Sequence, residues 1–248
     1  MRLWSRGDDW VSNQVFWRGW AGYEPECAGL FYRLAERSRL TVDVGAHIGF
    51  YSILAGLANR EGRVLAFEPM PGMYARLKHH VALNDLSNVE CVRAAVTDDC
   101  GTIELFHAPA ELACSTTISA EFAESYDDHV SSLVRALTLD DFLRDRDDGW
   151  TPDLVKLDIE AAEPSALRGM RQTLEARPVI VCEVLPIGRV ASDIEELLGP
   201  LGYRFFHLTS EGAVRRNRIV PDAQWLNYLF AHPSGALSGT LDESLFHD

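Results

Sequence analysis

Short apolar runs alternate with amphipathic stretches along the chain from residue 40 onward. The runs at 40–44, 63–67 and 153–159 contain mostly apolar residues, several of them β-branched, which predicts buried strands. The stretches between these runs place apolar residues three to four positions apart, which predicts helices. Such an alternation of strand and helix is typical of βαβ units arranged around a parallel sheet.

The pattern also predicts the approximate bounds of each element. Strands are predicted at 40–44, 63–67, 88–96, 101–106, 135–139, 153–159, 178–184, 203–208 and 225–231, and helices at 25–37, 49–60, 71–84, 140–145, 163–177 and from 192 to about 199. The last two strands have no helix between them, which predicts an antiparallel edge strand. We therefore predict an α/β fold with a doubly wound, Rossmann-like sheet of seven strands, mostly parallel.

The predicted sheet defines one domain at 40–232, with a less regular substrate insertion at about 101–138. Residues 1–39 are predicted to form a cap, and residues 233–248 a weakly ordered tail. The cap contains four tryptophans, Trp4, Trp10, Trp17 and Trp20. We interpret these rings as a cover for one end of the core, and stacking on a substrate is the alternative.

Charge and composition limit the partners of the chain. Its 248 residues include 37 acidic and 23 basic side chains, a formal net charge of −14. This balance argues against nucleic acid and anionic membrane surfaces as partners. The sequence has no apolar run of about 20 residues and no signal-peptide pattern, and its five cysteines form no C-x-x-C pair. We therefore expect a cytoplasmic protein, and the sequence indicates no oligomeric state.

Polar residues follow the first two predicted strands, where an open α/β sheet binds its ligands. Strand 40–44 carries Asp43 near its end and is followed by a loop in which Gly45, His47 and Gly49 alternate with other residues, and strand 63–67 is followed by Glu68. An acid at the end of the second strand is placed to accept hydrogen bonds from ribose hydroxyls. Because His47 stands where a dinucleotide-binding loop has its middle glycine, the pattern favours a nucleoside ligand over NAD.

The segment from Lys156 to Glu163 is the most unusual part of the sequence, because it carries a lysine and several acids in and after an apolar strand. If the strand continues, Lys156, Asp158 and Glu160 share one side of it. Lys156 is expected to pair with Asp158, since an unpaired buried charge is costly. Glu183 ends the next strand, so the three candidate catalytic acids Asp158, Glu160 and Glu183 converge on the same edge of the sheet.

These acids have two candidate uses. One of them could act as a general base, with Glu160 and Glu183 preferred. Alternatively, all three could bind a divalent cation such as Mg²⁺ or Ca²⁺, which we do not favour. His79 and His80 are expected at the surface. Ser115–Thr117 either lines a substrate site or forms only a turn.

Five motifs occur together in the sequence, in this order: Asp43-Val-Gly-Ala-His-Ile-Gly-Phe-Tyr-Ser52, Ala66-Phe-Glu-Pro69, Leu139-Asp140, Val155-Lys-Leu-Asp-Ile-Glu-Ala-Ala-Glu163 and Asn227-Tyr-Leu-Phe230. Over residues 23–232 they resemble the FkbM family. Members of this family are class I S-adenosylmethionine (SAM)-dependent methyltransferases, largely O-methyltransferases acting on natural products and sugars. Two positions depart from the family pattern: His47 replaces the usual Asn, and Ala161 replaces a usual Gly.

The resemblance implies a role in SAM binding for several residues. Asp43, Gly45 and His47 would lie along the methionine part of SAM, Glu68 would hold the ribose, and Ala94 and Ala95 would pass the adenine. Gly49 belongs to the same cofactor-binding loop, Thr97 or Asp98 would lie near the adenine edge, and Asp158 would lie near the sulfonium.

The sequence thus predicts a SAM-dependent O-methyltransferase that acts on a hydroxyl of a small natural product, sugar or glycan. An NAD-dependent Rossmann reductase and a non-catalytic methyltransferase-like binding domain are the alternatives. Acceptor specificity is expected from residues 1–39 and 107–132, where the sequence has the least regular pattern.

Overall fold

A computed structural model of the chain describes residues 1–107, 116–119, 123 and 130–241. The described strands are β1 (Leu40–Val44), β2 (Arg63–Phe67), β3 (Val89–Val92), β4 (Ala95–Val96), β5 (Gly101–His107), β6 (Thr116–Thr117), β7 (Val130–Leu137), β8 (Leu154–Leu157), β9 (Val179–Glu183), β10 (Arg204–Thr209), β11 (Gly212–Arg216) and β12 (Asn227–Ala231). The described helices are α1 (Trp10–Arg18), α2 (Ala28–Ala35), α3 (Phe50–Ala58), α4 (Pro71–Leu83), α5 (Leu139–Arg146), α6 (Glu163–Arg168), α7 (Arg171–Glu175) and α8 (Val190–Leu198), and short 3₁₀ turns lie at Trp20–Gly22 and Ser238–Thr240.

The central sheet confirms the predicted α/β class. It has eight strands in the order β11-β10-β12-β9-β8-β1-β2-β3. The five strands from β9 to β3 are parallel to one another. The sheet has the predicted antiparallel edge, although the strand at this edge is β11, which pairs with β10, rather than one of the last two predicted strands. Strand β12 is a second antiparallel strand inside the sheet, between β9 and β10.

The eighth strand is β11, which lies between the strands predicted at 203–208 and 225–231, where no strand was predicted. Its five residues include Arg215 and Arg216 and are half-buried or exposed. Charged side chains are common on edge strands, where they discourage pairing with another chain. Because β11 has two arginines and no alternation of apolar and polar residues, its sequence does not predict a strand.

A smaller sheet occupies the predicted insertion, with the strand order β4-β7-β5-β6. The strand predicted at 88–96 is divided between the two sheets, because β3 pairs with β2 whereas β4 pairs with β7. The helix predicted at 163–177 is likewise divided, into α6 and α7. The break follows Gly169, where a Cβ atom would lie 1.9 Å from the carbonyl oxygen of Thr97.

The start of α5 also differs from the prediction. Thr138 is the N-cap, and its hydroxyl accepts a hydrogen bond from the backbone N–H of Asp141. Asp140, at which the helix was predicted to begin, accepts hydrogen bonds instead from the backbone N–H groups of Gln172 and Thr173. Asp140 thus joins α5 to α7, because its carboxylate can accept from two donors at once.

The tryptophans of the cap do not cover the core. Their exposed fractions are 40% for Trp4, 62% for Trp10, 80% for Trp17 and 39% for Trp20. The residues of the cap that do fill the core are Val11 in α1 and, in and beside α2, Cys27, Ala28, Phe31, Leu34 and Ala35. The preferred interpretation of the four rings was therefore wrong, because the amphipathic helix α2 already supplies the apolar face that the core needs.

His80 and Asn84 fasten the first residues of the chain to α4. His80, predicted at the surface, is fully buried: its ring nitrogens lie 2.8 Å from the carbonyl oxygen of Ile48 and 3.0 Å from the backbone nitrogen of Trp4. The Asn84 amide exchanges two hydrogen bonds with the backbone of Arg2, both of 2.7 Å.

The segment after residue 232, predicted as a weakly ordered tail, packs two leucines into the core, Leu237 and Leu241. Residues 242–248 lie outside the described part of the chain. Among the helices that the structure describes, none combines the length and the apolar character needed to cross a membrane.

Candidate functional site

A cavity of about 550 Å³ lies at the carboxyl ends of the parallel strands. It follows the ends of five neighbouring strands: Glu183 is the last residue of β9, and Asp158, Gly45, Glu68 and Ala94 come after β8, β1, β2 and β3. Neighbouring strands lie about 4.8 Å apart, so roughly 14 Å separates the ends of β2 and β9. The cavity is thus elongated, with different chemistry at its two ends.

Glu68 lies at the β2 end of the cavity and is held by two backbone donors. Its Oε2 accepts a hydrogen bond of 2.8 Å from the N–H of His47, and its Oε1 accepts one of 2.8 Å from the N–H of Met70. The side chain is buried, and this burial raises the pKa of Glu68 to about 7. Each carboxylate oxygen has a second lone pair, so Glu68 can still accept hydrogen bonds from a ligand.

Asp43 is not brought to the cavity with Glu68. It is buried within β1, and its carboxylate accepts a hydrogen bond from the hydroxyl of Ser52 on α3. Burial raises the pKa of Asp43 to about 6. Asp43 does not appear among the described residues that line the cavity, and its observed contact joins β1 to α3.

The two predicted glycines permit close packing rather than only the approach of a ligand. Gly45 has a φ of +82°, and a Cβ atom there would lie 1.9 Å from the carbonyl oxygen of Asp158. Gly49 has a φ of +94°, and its Cβ would meet the side chain of Leu77 at 2.6 Å. Gly45 thus lets the loop after β1 touch the loop after β8, and Gly49 lets α3 begin against α4.

His47 lies on the cavity wall between these glycines. Its backbone adopts a left-handed conformation, with a φ of +51°, and its N–H points to Glu68. The imidazole Nε2 is buried without a hydrogen-bond partner and lies 3.9 Å from Oδ2 of Asp9. Burial lowers the pKa of His47, so the ring is neutral at pH 7.

The β3 end of the cavity is apolar. Ala94, Ala95 and Val96 all line it, as the resemblance implied for the first two. Thr97 and Asp98 do not appear among the described lining residues: the hydroxyl of Thr97 lies 2.8 Å from that of Ser165, and Asp98 forms an ion pair with a nearby arginine.

Lys156 and Asp158 form the predicted buried pair. The Nζ of Lys156 lies 2.9 Å from Oδ2 of Asp158 and 4.9 Å from the centroid of the Tyr51 ring. Burial opposes the charge of Lys156, but the surrounding carboxylates of Asp158 and Glu24 outweigh this effect and raise its pKa well above the ordinary value. Asp158 lines the cavity whereas Lys156 lies behind it, so Lys156 positions Asp158.

Strand β8 ends at Leu157, so Glu160 does not continue it as predicted. Glu160 and Ala161 both adopt left-handed backbone conformations, with φ of +54° and +72°. The backbone thus turns sharply, and the carbonyl of Glu160 accepts a hydrogen bond from the hydroxyl of Thr117. Both Glu160 and Thr117 line the cavity. The turn explains why a glycine suits position 161, since glycine adopts this conformation without strain.

Glu183 lies at the opposite end of the cavity from Ala94. Burial raises its pKa well above the ordinary value, and the negative charges of Asp158 and Glu160 raise it further. Three candidate catalytic acids therefore share this end of the cavity. Among the described residues, no group of three or more His, Cys, Asp or Glu side chains is arranged to hold a metal ion.

The roof of the cavity comes from residues 1–39, from which acceptor specificity was expected, but apart from Trp10 none of its residues was named as a site candidate. The roof residues all lie in the N-terminal segment: Trp10, Val11, Gln14, Arg18, Gly22, Tyr23, Glu24 and Pro25. Trp10, Gln14 and Arg18 are four residues apart and so lie along one face of α1. In the sequence, only the spacing of Trp10 and Gln14 indicates this face. A pair of residues is not enough to show whether the face of a helix lines a cavity or packs against the core.

Tyr23 and Glu24 bring aromatic and acidic groups to the β9 end of the roof. The Tyr23 ring packs edge-on against Phe50, with 4.8 Å between centroids. Glu24 accepts hydrogen bonds from the hydroxyl of Tyr51 and from the side-chain amide of Asn227. Burial raises the pKa of Glu24. Of the predicted Ser115–Thr117 segment, Thr116 and Thr117 line the cavity, and Ser115 lies outside the described residues.

Comparisons with known proteins point to methyl transfer. A family model described as the methyltransferase FkbM domain matches residues 43–205. The chain is 29% identical over 187 residues to methyltransferase sdnD of Sordaria araneosa, across 65% of this chain and 72% of that protein. It is 24% identical over 143 residues to methyltransferase 1 of Beauveria bassiana (strain ARSEF 2860), across 52% of this chain and 57% of that protein.

A similar solved structure is that of the O-methyltransferase TomG of Streptomyces achromogenes in complex with SAM. It has a TM-score of 0.46 and 14% sequence identity, and the match covers 85% of this chain and 80% of that chain.

Proposed function

The chain belongs to the FkbM methyltransferase family, and from that premise we propose that it transfers a methyl group from SAM to a hydroxyl of a small natural product, sugar or glycan. The observation that carries this proposal is the elongated cavity, with Glu68 at the β2 end and Glu183 at the β9 end. Glu68, which suits ribose binding, and Glu183, which suits proton removal, are thus separated by three strand-to-strand distances, roughly 14 Å.

The residues of the cavity fit SAM. A volume of about 550 Å³ lies within the range of cofactor sites. Glu68 would accept hydrogen bonds from ribose hydroxyls, and Ala94 and Ala95 offer an apolar wall to the adenine. Asp158 and its neighbouring acids suit a positively charged group. When bound, SAM supplies a methyl group on a positively charged sulfur that is a good leaving group.

The protein has to position the acceptor, remove its proton and exclude water. We assign a carboxylate oxygen of Glu183 as the base that takes the proton of the acceptor hydroxyl, because this side chain lines the cavity and its pKa is raised by burial. A carboxylate with a raised pKa is a stronger proton acceptor than an ordinary glutamate. Glu160 is the second candidate, since it lines the same end of the cavity.

The roof of the cavity helps to exclude water from the reacting groups. Trp10, Tyr23 and Glu24 close the side of the cavity that faces away from the sheet. The acceptor would contact these residues, because they lie opposite the carboxyl ends of the strands. An aromatic wall beside carboxylates suits a sugar, whose apolar ring face stacks on aromatic rings while its hydroxyls bond to acids.

Family membership favours this function over the NAD-dependent reductase. A methyltransferase-like binding domain without turnover is separated from an enzyme by product formation. Calorimetric titration with SAM, S-adenosylhomocysteine (SAH) and NAD tests the ligand: we expect SAM and SAH to bind and NAD not to bind. A screen of hydroxylated acceptors with radiolabelled SAM then tests turnover, and binding without any methylated product would favour the binding domain.

Glu68→Gln provides a matched test of the cofactor site. Because both carboxylate oxygens accept backbone hydrogen bonds, an amide would turn a donor towards one of these N–H groups and lose an acceptor for ribose. We expect the SAH affinity to fall about 10-fold or more. The exposed residue Glu61, changed to Gln, is the control and should leave the affinity unchanged.

A further inference from the structure

Several buried polar atoms without hydrogen-bond partners lie where α1 packs near the loop after β1, which contains His47. In the described part of the chain, six buried side-chain nitrogen or oxygen atoms lack a hydrogen-bond partner, and four of them belong to Asp9, Ser12, His47 and Arg76. Buried polar groups in native proteins nearly always have partners. Such a concentration beside a cavity indicates a polar cluster whose hydrogen bonds are completed in the working state.

Asp9 and His47 face each other in this cluster. Oδ1 of Asp9 caps α1 by accepting a hydrogen bond of 2.6 Å from the backbone N–H of Ser12. Oδ2 of Asp9 is buried without a partner and lies 3.9 Å from Nε2 of His47, which is also unpartnered. The two atoms are too far apart for a hydrogen bond, but such contacts are often long in ligand-free proteins and shorten in the complex.

The two ring nitrogens of His47 face different surroundings, one towards Asp9 and the other towards the cavity. The side chain lines the cavity, while Nε2 is buried towards Asp9. The two nitrogens of an imidazole point in divergent directions, so Nδ1 is the one available to a ligand. In a neutral ring one nitrogen carries the hydrogen and the other accepts a hydrogen bond, and the partner of the first decides which is which.

We propose that Asp9 is a positioning residue that holds the hydrogen of His47 on Nε2, so that Nδ1 accepts a hydrogen bond from the amino group of the bound cofactor. This inference rests on the proposed use of SAM, whose methionine part carries that amino group. It gives the N-terminal segment, which lies outside the region matched by the family model, a part in cofactor recognition.

The other charged groups around the ring are compatible with this role. Burial lowers the pKa of His47 and keeps the ring neutral, Asp9 and Asp158 oppose this effect, and Arg76 and His80 add to it. Arg76 has only donors and forms an ion pair with Asp8, and both ring nitrogens of His80 are occupied. Asp9 is therefore the carboxylate in position to accept from Nε2.

Asp9→Asn tests the proposal without a change of shape. The amide oxygen can still cap α1, since Asn is as good an N-cap as Asp. The amide nitrogen would then face Nε2 and donate to it, which moves the ring hydrogen to Nδ1 and turns a donor towards the cofactor's amino group. We expect the SAH affinity, measured by calorimetry, to fall about 10-fold or more, as for a lost hydrogen bond to a charged group.

Two controls separate positioning from a structural effect. Asp8→Asn alters the neighbouring acid and its ion pair with Arg76, and should change the SAH affinity less than twofold. In a His47→Asn background, Asp9→Asn should also change the affinity less than twofold, because no tautomer is left to set. An undiminished affinity in Asp9→Asn, or an equal loss in both backgrounds, would overturn the proposal.

The tautomer can be read without any ligand. In protein with ¹⁵N-labelled histidine, the signals that disappear in His47→Asn identify His47. We expect Nε2 to carry the hydrogen in the original chain and Nδ1 to carry it in Asp9→Asn. Failure of the original chain to bind SAH would refute the proposed cofactor, whereas an unchanged tautomer in Asp9→Asn would refute the role of Asp9, so the two failures are distinguishable.

Discussion

At the scale of single residues, burial changes the chemistry of acids that would be ordinary in water. Glu183 keeps its proton more tightly than an exposed glutamate, because burial and the charges of Asp158 and Glu160 disfavour its ionised form. A base must be ionised to accept a proton, so activity should fall as the pH decreases through this raised pKa. We expect the acidic limb of the kcat/KM profile to lie well above pH 4.5.

Glu183→Gln removes the proposed base while keeping the shape of the side chain. We expect kcat to fall about 10²- to 10⁴-fold, the usual contribution of a positioned base. The SAH affinity should change little, because the proposed cofactor contacts lie at the ends of β8, β1, β2 and β3 and do not include Glu183. The exposed residue Glu211, changed to Gln, is the control. Full turnover in Glu183→Gln would transfer the assignment to Glu160.

The sequence alone predicted some of these residues and not others. Glu68 follows a predicted strand, and Asp158 and Glu183 lie near the carboxyl ends of two others; strand ends are predictable from the apolar pattern. Asp43 has the same local pattern, but its carboxylate bonds to Ser52 instead of reaching the cavity. Side-chain direction at the last residues of a strand depends on contacts between elements, so the sequence does not reveal it.

At the scale of elements, the loops after β1 and β8 touch at Gly45. Gly45→Ala would place a Cβ atom 1.9 Å from the carbonyl oxygen of Asp158 and impose a φ of +82° on an alanine. Gly212→Ala is a matched control, since its φ is +99° and nothing lies within 4 Å of its Cβ. We expect the control to lose about 1 kcal/mol of unfolding free energy.

Gly45→Ala should lose clearly more stability than this control, because steric overlap adds to the backbone strain. It should also weaken SAH binding, since Asp158 must move away from the cavity. Urea unfolding and calorimetry measure the two effects. Equal losses of stability in the two variants would show that the contact with Asp158 relaxes at no cost.

In the first turn of α6, burial changes the pKa of Glu163 and thereby makes stability depend on pH. Glu163 is fully buried; its Oε1 accepts a hydrogen bond of 3.1 Å from the N–H of Ile159, and its Oε2 has no partner. Burial raises the pKa of Glu163 to about 7. The folded protein therefore holds this proton more tightly than the unfolded chain does, and the free energy of unfolding falls as the pH rises from about 4.5 to about 7.

Glu163→Gln should remove this contribution, because a neutral amide has nearly the same shape as the protonated acid. The variant and the original chain should be equally stable near pH 4. At pH 8 the variant should be more stable, by up to about 3 kcal/mol. Urea unfolding at both pH values provides the measurement. A stability difference that did not change with pH would contradict a buried, titrating Glu163.

Element boundaries show where local sequence patterns are insufficient. The central strands β1 and β2 are at their predicted positions because both faces are buried and the apolar signal is strong. The division of 163–177 into two helices follows from the packing of Gly169 against Thr97, which are 72 residues apart in the chain. Contacts of this kind depend on tertiary structure, which the periodicity of a segment does not encode.

At the scale of the whole molecule, the cavity combines a sheet that the sequence predicts with a roof that it does not. The floor comes from the strand ends within the region matched by the family model, whereas α1 and Tyr23 precede that region. His80 and Asn84 bind the backbone of Trp4 and Arg2, which precede the roof, and Glu24 near its end accepts a hydrogen bond from Asn227, so the roof is attached to the domain at both ends. Of the exposed tryptophans, Trp10 belongs to this roof, whereas Trp4 packs against His79 of α4.

This arrangement makes Trp10 a reporter of binding. Its ring lines the cavity and is 62% exposed, so a bound ligand should cover part of it and change its fluorescence. Trp17 lies on the same helix and is 80% exposed, and it is not among the described residues that line the cavity. During titration with SAH we expect Trp10→Phe to lose most of the fluorescence change and Trp17→Phe to retain it. An undiminished change in Trp10→Phe would mean that the ligand leaves α1 uncovered, and the roof would then have no part in binding it.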